Sequence, residues 1–156
     1  MLLALNLAAC GFHLRGADSS LLTPLKGQLV WVQGISAQSS FGQKLNLALE
    51  KAGASLATEV SASTVKVTIN RLEENKTATA YSAARQVREF NHFLDLSFTA
   101  EASAATKPLE SSIHVERNQI YDSRYVLGVS EEERSIQAEL ETEAARLLAL
   151  RLAALR

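Results

Sequence analysis

Between residues 89 and 102 the side chains alternate. Phe90, His92, Leu94, Leu96, Phe98, Ala100 and Ala102 fall on one side and Glu89, Asn91, Asp95, Ser97, Thr99 and Glu101 on the other, with Phe93 as the departure. A period of two is that of a strand with one buried and one wet face. Residues 104–108 turn the chain, and Ile113 and Val115 alternate on the way back. Setting Ser103 opposite Pro108 brings Phe98 to Ile113, Leu96 to Val115 and Phe90 to Tyr121. A slip of one residue would put Ile113 and Val115 against polar neighbours, so the pattern supports this register to within an even shift. Upstream, Val65, Val67 and Ile69 alternate with Lys66, Thr68 and Asn70 across 63–72, a second half-buried strand. Leu29-Val30-Trp31-Val32, bounded by glycines, is continuously apolar and reads as a strand covered on both faces or set near the middle of a sheet.

Two stretches carry the helical period instead. Ser40 followed by Gln43 forms a capping box, and Phe41, Leu45, Ala48, Leu49 and Ala52 then recur on one face until Gly53 stops the helix. Ser130 with Glu133 opens the second, with Glu131 and Glu132 against the positive end of the dipole. Its stripe is Ile136, Leu140, Ala144, Leu147, Leu148, Leu152 and Leu155, and Arg146, Arg151 and Arg156 lie toward the end where cations are favoured. The order is strand, helix, strand, strand, strand, helix. That order predicts an α+β two-layer sandwich, two amphipathic helices packed on one face of a four-stranded sheet, with a single domain over 29–156.

Composition narrows what such a domain does. The chain has 156 residues and a net charge of -1, without the basic excess that non-specific nucleic-acid binding uses. Its one cysteine, Cys10, excludes an intramolecular disulfide. Residues 1–9 are uncharged and, apart from Asn6, apolar, and Ala8-Ala9-Cys10 has the form of a bacterial lipobox. The reading is therefore a signal-peptide remnant over 1–9, and over 10–28 a lipidated N-terminus and tether, with N-acyl and S-diacylglycerol groups on Cys10. The run is about half the roughly 20 residues a membrane span needs, so the expected attachment is by lipid alone. It also lacks a basic n-region, so either the true start lies upstream or the sequence is truncated.

Catalytic and metal chemistry find little support. His92 and His114 fall on opposite faces of the long hairpin, beyond reach of a common ion. Glycine-rich phosphate loops, the nucleophile elbow and His-Glu-x-x-His are absent, and no enzyme activity, cofactor or metal is expected. One segment differs. Lys76, Arg85 and Arg88 surround the run 77–84, read as a hairpin loop between the second and third strands. Arginines grip phosphate in bidentate fashion, which makes this trio the candidate ligand site beside the plainer reading of a solvated loop.

With these elements placed, Cys10-Gly11-Phe12-His13-Leu14-Arg15 resembles the mature N-terminus of the LPS-assembly lipoprotein LptE family, also called rare lipoprotein B. The likeness extends to Arg88-Glu89-Phe90, to Val115-Glu116-Arg117 before Asp122, and to Glu131-Glu132-Glu133 with Ala144-Ala145-Arg146-Leu147-Leu148. The resemblance implies a lipoprotein on the periplasmic face of the outer membrane. It would plug and help assemble the LPS-export β-barrel LptD as a one-to-one heterodimer, and would bind lipopolysaccharide on its way to the outer leaflet. Lys76, Arg85 and Arg88 would then meet lipid A phosphates. The rival reading is a lipid-anchored scaffold or pilot of another envelope complex without a glycolipid ligand; a periplasmic hydrolase is the third.

Overall fold

The computed structural model describes residues 23–103, 107–121 and 126–155. The segment 1–9, the acylation site Cys10 and the tether as far as residue 22 lie outside the described residues. The chain runs β1 (Leu29–Gln33), α1 (Ser40–Lys51), β2 (Ser55–Leu56), a 3-10 turn (Val60–Ala62), β3 (Val65–Tyr81), β4 (Val87–Ala102), β5 (Leu109–Ile120) and α2 (Val126–Ala153). The strands form one mixed sheet in the order β2-β1-β3-β4-β5. β1 runs parallel to β2 and β3, whereas β3, β4 and β5 are antiparallel neighbours.

Both helices cover the same face, as the two-layer reading expects, and the core lies between. Val30, Val67, Leu94, Leu96, Phe98 and Ile113 meet Phe41, Leu45 and Leu49 of α1 and Leu140, Ala144 and Leu148 of α2, all within 2% of full burial. Burying a Leu or Phe side chain contributes about 1.5–3 kcal/mol, so this apolar layer dominates the stability. The packing starts before the first strand: Leu25 is 2% exposed and its N–H donates to Ala52 O at 2.8 Å, so 23–28 is docked on the end of α1.

Several details differ from the sequence reading. The sheet has five strands, the extra one being the two-residue β2, which pairs with β1 at Leu29 and Val30. The cap of α1 is Ser39, whose hydroxyl accepts from the Gly42 N–H, while Gln43 turns its side chain to Gln38 O at 2.9 Å. α2 begins at Val126, a turn before Ser130, so Glu131 and Glu132 lie inside the helix and not at its positive end. The β4–β5 register pairs Leu96 with Ile113 and Leu94 with Val115, two residues from the expected pairing. The same side chains remain on the same face, because an even slip preserves the inside-out alternation.

The largest difference is β3. It does not end near Leu72 but continues to Tyr81, and the loop expected over 77–84 shrinks to a turn at 82–86. A bulge explains why the alternation failed to show this. Ile69 pairs with Phe98 and Arg71 with Ser97, leaving Asn70 as the extra residue. Before it, Val65, Val67 and Ile69 face the helices; after it, Leu72, Glu74, Lys76 and Ala78 do, opposite Leu96, Leu94, His92 and Phe90. One inserted residue thus exchanges the two faces of the strand.

Candidate functional site

The far end of β3 and β4 carries the candidate cations. There the turn is closed by three bonds: Ser82 N–H donates to Gln86 O at 2.8 Å, Arg85 N–H to Ser82 O at 2.9 Å, and Gln86 N–H to Ser82 Oγ at 3.2 Å. Arg85 takes the left-handed position, with φ of 59°, which residues with a Cβ seldom occupy. Both Arg85 and Arg88 are exposed, and Arg88 is fixed at the main chain, where its carbonyl accepts from Tyr121 N–H at 2.8 Å. Tyr81 beside the turn is 61% exposed and Ile120, across from Glu89, is 81% exposed.

Lys76 does not join them. It lies five residues before Tyr81, about 16 Å back along the strand. The bulge turns it toward α2, where Nζ meets Glu133 at 2.6 Å and stands 5.0 Å above the Phe90 ring. An ion pair and a cation–π contact already occupy this ammonium. The hollow beside it, bounded by Glu74, His92, Glu133, Gln137 and Leu140, has a volume of about 200 Å³. That is under the 300–1,000 Å³ typical of small-molecule sites.

Behind Lys76 a buried polar chain ties the layers together. His92, 4% exposed, bonds through Nε2 to Gln119 Oε1 at 2.9 Å, and Gln119, fully buried, donates onward to Val129 O at 3.2 Å and Glu132 Oε2 at 3.0 Å. Because the amide oxygen only accepts, Nε2 of His92 carries the proton in this arrangement. His92 is thus a hydrogen-bonded interior histidine on the apolar face. Gln119 was not singled out from sequence, although it stands on the same face as Ile113 and Val115, where a polar residue signals a buried partner. Glu141 is a second such case. It accepts from Ser40 Oγ at 2.5 Å and pairs with Lys44, linking α2 to α1.

The opposite face of the sheet is polar. His114 Nδ1 lies 2.7 Å from Asp95 Oδ1 and its Nε2 3.7 Å from Glu116, with the Phe93 ring 5.8 Å away. The hydrogen bond to Asp95, helped by the charges of Asp95 and Glu116, raises the imidazole above its ordinary pKa. Asn91 donates to Asn118 at 2.8 Å, Asn70 to Thr99 at 2.9 Å, and Arg71 pairs with Glu73 at 2.5 Å. His92 and His114 are on opposite faces, as read. Among the described residues no three His, Cys, Asp or Glu side chains are grouped to hold a metal ion, and no helix is long and apolar enough to cross a membrane.

No protein-family model and no curated protein sequence matches the chain. Solved structures do. Rare lipoprotein B from Shewanella oneidensis superposes with a TM-score of 0.71 at 12% identity, over 81% of this chain and 94% of that one. An uncharacterized lipoprotein B from Nitrosomonas europaea gives 0.72 at 18% identity, over 92% and 91%. A minor lipoprotein from Acinetobacter baumannii gives 0.65 at 15%, over 81% and 91%. Identities this low speak for the fold and not for the chemistry, and the fold they establish for this chain is that of rare lipoprotein B.

Proposed function

We propose that this protein is an LptE-like lipoprotein, acylated at Cys10 and held at the periplasmic face of the outer membrane, that binds lipopolysaccharide and seats in the LPS-export barrel LptD as a one-to-one complex. The observation that carries the reading is the likeness to rare lipoprotein B across four-fifths of the chain, joined to the Cys10-Gly11-Phe12-His13-Leu14-Arg15 motif. The role is binding and assembly, not catalysis.

Three features support it. Acylation at Cys10 adds about 0.8 kcal/mol of membrane affinity per buried CH₂, and more than one chain gives durable anchoring. The polar face formed by Asn91, Asp95, Thr99, His114 and Asn118 suits the water-filled lumen of a barrel. Arg85 and Arg88, exposed at the hairpin tip, suit the phosphates of lipid A, with Lys76 set back as the weakest of the three candidates.

Affinity purification of the full lipidated chain from envelopes is the deciding experiment. A stoichiometric complex with the LPS-exporting barrel is expected, and reproducible recovery of a different envelope complex without glycolipid would replace this reading with that of a scaffold. For the ligand, purified domain carrying Arg85→Glu and Arg88→Glu is expected to retain less LPS than wild type; equal retention would sink the tip as the site.

A further inference from the structure

The main-chain groups of β5 can be assigned residue by residue. Ser103 N–H donates to Thr64 O at 2.9 Å, so odd-numbered residues of β4 turn their main-chain groups toward β3 and even-numbered ones toward β5. Tyr121 N–H, donating to Arg88 O at 2.8 Å, is in phase with this. Odd-numbered residues of β5 therefore bond to β4, and Glu110, Ser112, His114, Glu116, Asn118 and Ile120 direct theirs outward, at the edge of the sheet. The register with β4 is continuous along the whole strand, and no proline falls within it. An edge of 12 residues, unbulged and not covered by another strand among the described residues, is a template for strand addition.

Two side chains interrupt that template. Arg151, reaching over from α2, donates to Ser112 O and Ser111 Oγ, and Arg117 donates to Glu116 O at 2.8 Å. Both main-chain acceptors, Ser112 O and Glu116 O, belong to the outward set, which agrees with the assignment. Guanidinium groups thus occupy two edge carbonyls four residues apart and leave the amides of His114, Asn118 and Ile120 open.

The edge is also complementary to itself. In an antiparallel pairing of two β5 strands about Val115, His114 of each copy lies opposite Glu116 of the other, and Ser112 opposite Asn118. A two-residue slip either way would set His114 against His114 or Glu116 against Glu116, and like charges directly opposite are destabilising. We propose that the β5 edge is a pairing surface for a second copy of this chain, and that Arg117 and Arg151 hold it shut. This stands apart from the tip and from the one-to-one reading above, since it concerns the protein before any barrel or glycolipid is bound.

The test uses the purified soluble domain and light scattering after size exclusion. At a concentration where the wild type is a monomer, Arg117→Ala with Arg151→Ala is expected to double in mass. Adding Asn118→Pro, which removes an outward N–H and no main-chain bond to β4, and beyond that only the exposed side-chain contact with Asn91, is expected to return it to monomer. Should Arg151→Ala fail to fold, Arg117→Ala alone, at an exposed side chain, is expected to shift part of the population to dimer. A folded variant without the guarding arginines that stays monomeric overturns the proposal, as does a dimer that persists with Pro at position 118.

Discussion

His114 shows how much one placement sets. Asp95 beside it on β4 favours the charged imidazole, so the folded pKa lies above the unfolded value. A raised histidine contributes its stability fully below the unfolded pKa and loses it as pH rises through the folded one. The side chain is 54% exposed, so solvent screens the pair and its effect on global stability is small. The local titration is the better readout. In Asp95→Asn, the NMR midpoint of the His114 ring is expected to fall toward that of a free histidine, since the carboxylate that accepts from the imidazole is replaced by a neutral amide. An unchanged midpoint would assign the shift to Glu116 instead. The same residue also lies near the centre of the β5 edge, so its environment depends on whether that edge is paired.

At the level of elements, the start of α1 is set by contact as much as by capping. A Cβ added at Gly42 would come within 2.1 Å of Ser36 O, a main-chain atom that cannot move without reshaping the turn that also positions Ser39. Gly42→Ala is therefore expected to destabilise the domain despite alanine's better helix propensity, by about 1–3 kcal/mol, as overpacking does. Urea denaturation with an unchanged slope and a lower midpoint would show it. Ser40 and Gln43 looked like the cap because they have the Ser-x-x-Gln spacing, which Ser39 lacks with Gly42 three residues on, yet it is the Ser39 hydroxyl that accepts from the Gly42 N–H. Other elements divide in the same way. The faces of β4, α1 and α2 were legible because periodic burial of Leu94, Leu96, Leu45 and Leu148 is a local signal. β2 was not, since two residues carry no period, nor was the far half of β3, where the Asn70 bulge reverses the alternation and the residues are polar on both faces. The start of α2 was hidden by a plausible cap at Ser130.

For the molecule as a whole, the bulge at Asn70 has a consequence for ligand binding. It sends Lys76 inward to Glu133 and Phe90, while the turn presents Arg85 and Arg88 to solvent. Three cations that stand close in sequence thus divide into one already satisfied and two available. If the proposed glycolipid binding uses the tip, their contributions differ. A hydrogen bond to a charged group is worth about 1.5–3 kcal/mol, so replacing both arginines by glutamine is expected to weaken LPS binding at least tenfold at low salt. Lys76→Gln is expected to weaken it less than the double change, because little of the ammonium is free to engage phosphate. Its cost appears instead in the fold, where Glu133 loses its partner and Phe90 the cation above it, and thermal unfolding should record a modest drop. Raising the salt should narrow the gap between wild type and the double arginine variant, since exposed charges are screened beyond about 8–10 Å at physiological strength. Equal losses from Lys76→Gln and from the arginine pair would mean that the ligand reaches down the hairpin and displaces Glu133, and the site would then extend from the turn to the start of α2.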